Sequence, residues 1–144
     1  MISCTEFIPL YSELFKFLEN KGGKAEVIKY WEHISDKYVE PRLGEEIKKH
    51  GLLGCWNYWS KSLNEEACDF SMTCDEKNNY FEINMRGCPS KGMLLKFDYM
   101  EPYYDYCGHC DLLYKRCAAR YGIDITCDLT KCDKAQCKLV GRKI

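Results

Sequence analysis

Apolar residues recur at helical spacing through the first 66 residues of the chain. Side chains three or four positions apart lie on one face of a helix, and four such faces follow one another. The first face consists of Phe7, Tyr11, Leu14 and Leu18, and the second of Val27, Trp31, Ile34 and Tyr38. The third lies on a short segment between Pro41 and Gly51. The fourth consists of Leu52, Cys55, Trp56, Trp59 and Leu63. We predict that the second helix stops before Pro41, which cannot donate a backbone hydrogen bond.

The apolar period changes from helical to alternating at residue 68. Cys68 to Cys74 and Phe81 to Met85 each alternate apolar and polar residues around a polar turn, which predicts a β-hairpin with one buried face. A helix from Pro102 to Tyr121 and strands over 123–129 and 137–143 follow. The pattern therefore predicts an α+β protein with a single domain over 1–144. Its helical part is 1–66, and 67–144 form a β-β-α-β-β unit whose antiparallel sheet is covered by helices.

Charge and cysteine content narrow the class of protein. A formal net charge of −1 offers no basic stripe for nucleic acid, and no apolar run approaches the length that crosses a membrane. Eleven cysteines are many for this length, yet the N-terminus lacks the features of a signal peptide. An odd number of cysteines also cannot pair fully within one chain. We therefore expect a cytoplasmic protein with reduced thiols.

The densest chemistry lies in the run Tyr106-Cys107-Gly108-His109-Cys110. On a helix Cys107 and Cys110 share a face, and two thiolates at this spacing can bind one metal ion. The topology could bring Cys88, after the second strand, and Cys137, on the last strand, to the same place. Four such thiolates suit zinc or a [4Fe–4S] cluster. Packing is the competing interpretation of the two thiols, and it is the favoured one for Cys117.

The remaining thiols and the histidines leave alternatives open. Cys127 and Cys132 match no ligand spacing and are interpreted as structural, although a ligand role stays open. A thiol near a helix N-terminus gains thiolate character and could act as a nucleophile, with His33 or His50 as its base. His109 should point away from its neighbours on the helix, so a local cysteine–histidine pair is not expected. A thioredoxin-like dithiol is disfavoured because the motif lies within a helix.

Three separated motifs carry a resemblance to a known family. They are Phe81 to Pro89, the run Tyr103 to Tyr114, and Ala135-Gln136-Cys137, together with Gly122 and Asp128. In this layout the chain resembles the L-2-amino-thiazoline-4-carboxylic acid hydrolase-like family of small bacterial proteins. The resemblance implies hydrolysis of a C–N bond in a small cyclic or amidine-like molecule, by cysteine chemistry or a thiolate-bound metal.

The sequence supports three hypotheses. The first is a hydrolase-like enzyme acting on a C–N or C–S bond of a small-molecule substrate, with Cys88, Cys107, Cys110 and Cys137 as ligands of zinc or an iron–sulfur cluster. In it Arg86 and Tyr106 orient an anionic substrate, and His109 transfers protons. The second is a non-enzymatic zinc or iron–sulfur protein with a sensing, carrier or structural role. The third is a metal-free regulatory protein. The oligomeric state is open, with a homo-oligomer among the options.

Overall fold

A computed structural model describes residues 4–66 and 68–144, with only the backbone of Cys4. Residues 1–3 and Ala67 lie outside the described residues. The predicted boundary between the helical part and the β-β-α-β-β unit, at position 67, therefore also lies outside them. The α-helices are α1 (Cys4–Gly22), α2 (Lys24–Ile34), α3 (Glu45–His50), α4 (Leu52–Asn64), α5 (Pro89–Leu94) and α6 (Gly108–Ala119). The strands are β1 (Asp69–Asp75), β2 (Tyr80–Gly87), β3 (Ile123–Asp128) and β4 (Cys137–Lys143).

The second predicted helix does not stop before Pro41. A π-helix, Ser35–Gly44, follows α2 directly and leads into α3 without a break. Proline lacks an N–H group and its ring crowds the carbonyl four residues earlier in an α-helix. The wider turns of a π-helix carry the chain past Pro41. Such turns are rare and are frequently found at functional sites.

The four strands form one antiparallel sheet in the order β1-β2-β4-β3. The predicted hairpin is confirmed, since β1 pairs with β2 over its whole length. Phe81, Ile83 and Met85 of β2 are buried, whereas the residues between them are at least partly exposed. This alternation turns one face of the sheet toward the helices, and the predicted α+β fold is confirmed.

The segment between β2 and β3 differs from its prediction. Residues Cys88 to Gly92 were expected only to end the strand, but Pro89 begins the short helix α5, consistent with the preference of proline for a first helical position. The following helix was expected from Pro102 and instead begins at Gly108. Cys107 is therefore the N-cap residue of α6, and only Cys110 of the pair lies within the helix.

Two buried clusters join the helices to one another and to the sheet. The larger one packs α3, α4, α6 and the π-helix against the sheet, and the smaller one joins α1, α2 and the segment before α6. Across the larger cluster the Ser35 hydroxyl donates to the Leu113 carbonyl at 2.9 Å. None of the helices within 4–66 and 68–144 is long and apolar enough to cross a membrane. These clusters hold α6, which carries the candidate chemistry, between the π-helix and β3.

Candidate thiol site

Six cysteines from six separate segments meet at one end of the sheet. The segments are the β2–α5 junction, the residue before α6, the first turn of α6, the end of β3, a short 3₁₀ turn at Cys132–Lys134, and the start of β4. We call these six residues the thiol cluster: Cys88, Cys107, Cys110, Cys127, Cys132 and Cys137. None of them forms a disulfide.

Strand register explains why three of these thiols meet. Cys137 pairs with Met85 on β2, and Leu139 pairs with Cys127 on β3. Cys127 and Cys137 are therefore diagonal neighbours on the same face of the β3–β4 ladder. The backbone N–H of Cys88 donates to the carbonyl of Ala135 at 2.8 Å, which holds the end of β2 beside the start of β4.

The start of α6 supplies the other contacts. The Cys107 side chain is close enough to that of Cys132 for the second thiol to raise the pKa of the first. Cys110 is close enough to Cys88, Cys107, Cys127 and Cys137 for each of their charges to act on it. The other three cysteines predicted as ligands, Cys88, Cys107 and Cys137, therefore lie within electrostatic range of Cys110. Their role as ligands stays a prediction. Cys127 and Cys132, interpreted from sequence as structural, lie in the same cluster.

The thiols of the cluster disfavour one another's ionisation. Burial first, and then the four neighbouring thiols, raise the pKa of Cys110 well above its usual range. Burial and the contact with Cys132 raise the pKa of Cys107, and burial with Cys88 and Cys132 raises that of Cys137 to about 11. The thiolate character expected from the helix N-terminus is therefore absent, because desolvation outweighs the helix dipole.

His109 contacts Cys110, contrary to the expectation that it points away from its neighbours. Its Nδ1 hydrogen-bonds to the Tyr106 carbonyl, so Nδ1 carries the proton. Nε2 is then an acceptor and lies 3.3 Å from Cys110 Sγ. Helical spacing alone did not predict this pair. The contact depends on the orientation of the imidazole ring, which is set by its hydrogen bond to the Tyr106 carbonyl. The pair is a neutral imidazole and a neutral thiol.

The structure places the other predicted site residues differently. Tyr106 is buried, and its hydroxyl lies 2.6 Å from the Ser90 hydroxyl beside Cys88. Arg86 is on the exposed side of β2, where it forms an ion pair with Asp69 at 2.6 Å. The structure does not bring Arg86 into the thiol cluster. Cys117 is fully buried in the larger cluster, in agreement with a packing role.

The donor set is chemically suited to a soft metal, but it is not preformed. Thiolates are preferred ligands of zinc and iron–sulfur clusters. Within residues 4–66 and 68–144, no three cysteine, histidine or acidic side chains are already arranged around a single ion. Side-chain rearrangement would have to accompany binding, as is common where metal binding is coupled to folding.

An apolar cavity of about 450 Å³ adjoins the cysteine–histidine pair. Side chains from α1, α2, the π-helix and α6 enclose it: Phe7, Tyr11, Tyr30, Ile34, Tyr38, Val39, His109, Leu113 and Tyr114. We call it the aromatic cavity. The aromatic cavity was not predicted from the sequence. Its walls come from four helical segments, and a local sequence pattern does not show how these segments pack against one another.

Comparisons with protein-family models, curated proteins and solved structures found no match to this chain. The fold and the site define an α+β protein with a half-buried cluster of unpaired cysteines beside an apolar cavity. The resemblance to the hydrolase-like family remains a prediction from its three sequence motifs.

Proposed function

We propose that this protein binds a soft metal, either zinc or a [4Fe–4S] cluster, through the thiol cluster. The observation that carries the proposal is the position of Cys110, which is half-buried and within electrostatic range of four other thiols. Cys88, Cys107, Cys110 and Cys137 are the proposed ligands, and Cys127 and Cys132 lie within electrostatic range of members of this set.

Electrostatics supports a cation at this place. Several thiols in one buried site resist ionisation while they face only one another. A bound metal reverses this effect, because it supplies positive charge and deprotonates the thiols that bind it. Packing alone would not require thiols from six segments to converge at one point.

Metal and sulfide content of protein purified without oxygen tests the proposal. We expect one zinc per chain, or about four irons with acid-labile sulfide and a broad visible absorption band. Cys110→Ser should lower the metal content at least severalfold. Cys74→Ser, a partly exposed thiol on β1 outside the cluster, should leave it unchanged.

Two results would overturn the proposal. One is protein without metal or sulfide that also fails to take up zinc or to be reconstituted with iron and sulfide. The other is equal metal content in the wild type and in a variant with Cys107, Cys110 and Cys137 all replaced by serine. Circular dichroism of each variant establishes that it is folded before its metal content is compared.

A hydrolase-like enzyme acting on a C–N or C–S bond is the second candidate function. The contact between His109 and Cys110 favours it, because an imidazole beside a metal ligand can transfer protons to and from a substrate. Tyr106 would help to position the substrate. Arg86 is left out of this proposal, since it is already paired with Asp69 on the exposed side of the sheet.

The enzyme candidate is tested on metal-loaded protein with L-2-amino-thiazoline-4-carboxylate and related cyclic amidines. Mass spectrometry should detect the ring-opened product, and His109→Gln should slow its formation by about 10²-fold or more, the range of a general acid–base. His50→Gln, an exposed histidine on α3, is the matched control. Loss of turnover in the control alone, or turnover unchanged in His109→Gln, would contradict the assignment.

A further inference from the structure

The aromatic cavity has the size and lining of a small-molecule site. Its volume of about 450 Å³ lies in the range of ligand pockets, about 300–1,000 Å³. Val39, His109 and Leu113 are buried and form its floor, whereas Phe7 and Tyr38 are more than half exposed at its mouth. The cavity is therefore an open pocket with a buried base.

The cavity wall contains hydrogen-bonding groups but no charged side chain among the residues that the structure describes. These groups include the hydroxyls of Tyr11, Tyr30 and Tyr114. Burial raises the pKa of all three, so each hydroxyl is neutral and able to donate. Within the described part of the chain, the one cation shown beside the lining residues, Arg42, donates to the Tyr38 hydroxyl at the exposed mouth. An anion at the buried base would therefore lose its hydration without a cation beside it, which is unfavourable.

Aromatic rings give the cavity a preference for planar ligands. Phe7 and Tyr11 are stacked at 5.7 Å, and Tyr11 meets the His109 ring edge-on at 5.4 Å. Rings arranged in this way can pack on both the face and the edge of a bound ring. The π-helix contributes Tyr38 and Val39, and π-helical turns are often found at functional sites.

We propose that the aromatic cavity binds a small uncharged molecule with an aromatic ring and a carbonyl group. The ring packs against Tyr11 and Leu113, and the carbonyl accepts a hydrogen bond from a tyrosine hydroxyl of the wall. This proposal does not depend on the metal proposal, because none of the thiols lines the cavity, although His109 of its floor contacts Cys110. It also disfavours the carboxylate substrates that the family resemblance implies.

Two molecules of the same shape but different charge test the proposal. The probe is 2-acetylnaphthalene, and 2-naphthoate is its anionic counterpart. Chemical-shift changes in ¹⁵N-labelled protein measure both affinities. We expect the ketone to bind at least about tenfold more tightly than the carboxylate, since an unpaired charge in this cavity costs 1.4 kcal/mol or more. The shifts should centre on α1, the π-helix and α6.

Variants separate binding in the cavity from binding elsewhere. Ile34→Trp fills the cavity from one wall and should abolish binding of the ketone. Tyr11→Phe keeps the ring, removes one hydroxyl and should weaken binding severalfold if that hydroxyl donates to the carbonyl. Tyr99→Phe, an exposed tyrosine outside the cavity, should bind as the wild type does. Cys110→Ser should also retain binding, which distinguishes this site from the proposed metal centre.

Three outcomes would overturn the inference. The first is no binding of the ketone at millimolar concentration, and the second is equal affinity for the ketone and the carboxylate. The third is unchanged binding in folded Ile34→Trp protein. Should Ile34→Trp not fold, Leu113→Met with Tyr11→Phe and Tyr30→Phe replaces it, and unchanged affinity in that triple variant counts against the site.

Discussion

Acid should destabilise the metal-free protein through His109. Burial lowers the pKa of this imidazole from 6.5 to about 4. In the unfolded chain the ring returns to water and regains its ordinary pKa of about 6.5, so below this pH the unfolded state binds the proton more tightly. Above about pH 6.5 His109 therefore has no effect on the free energy of unfolding. As the pH falls from 6.5 to about 4 this free energy decreases, and below about pH 4 His109 causes no further decrease.

The size of the effect follows from the difference between the two pKa values. Each pKa unit corresponds to about 1.4 kcal/mol, so between about pH 7 and pH 4.5 His109 should remove about 2 kcal/mol from the free energy of unfolding. Urea unfolding followed by tryptophan fluorescence measures it, since the Trp31 ring lies 6.4 Å from the imidazole. Chelator and reductant keep the protein free of metal and disulfides.

His109→Phe removes the titrating group and keeps a ring among the aromatic neighbours of this position. Its stability at neutral pH should be lower, because Cys110 loses its acceptor, but its loss of stability on acidification should be about 2 kcal/mol smaller than that of the wild type. The carboxylates titrate in both proteins and cancel in the comparison. His50→Gln should follow the wild type. Parallel losses in the wild type and His109→Phe would refute the reasoning.

Four substitutions test the packing around the site by equilibrium unfolding. Ser35→Ala removes the donor to the Leu113 carbonyl and should cost about 1–3 kcal/mol by leaving a buried acceptor unsatisfied. Gly54→Ala should cost about 1–3 kcal/mol or more, since its Cβ would overlap the α3 backbone. Gly92→Ala has ordinary contacts only and should be neutral or stabilising. Phe81→Ala should cost about 3–5 kcal/mol. An equal effect of the two glycine substitutions would contradict the close helix contact.

The fold was predictable where a local period decides the structure. The alternation of Phe81, Ile83 and Met85 predicted β2 and its buried face, because a strand has only two faces and one of them meets the core. The π-helix was not predictable in this way. Pro41 indicated a break, and the continuation through it depends on packing against α6, which a single-sequence pattern does not contain.

The candidate site was predictable only as far as topology reaches. Cys88 and Cys137 could be placed near the start of α6 because strand ends and helix starts meet at one edge of the sheet. Cys127 alternates along β3 with Ile123 and Ile125 and so lies on the same face of the strand as they do. Knowledge of the strand order would therefore have placed Cys127 in the predicted thiol cluster. Cys132 lies in an irregular segment, and only the folded chain shows its contact with Cys107.

A cysteine nucleophile is the least supported use of these thiols. Such a reaction needs a thiolate, most often produced by proton transfer to an adjacent histidine. Here the pKa of Cys110 is raised by burial and by its neighbouring thiols, whereas that of His109 is lowered by burial. Both shifts keep the proton on sulfur. The shift at His109 alone opposes the transfer by about 3–4 kcal/mol, roughly 300-fold. A bound metal removes this obstacle, because it takes the place of the proton on the thiols instead of requiring the imidazole to accept it.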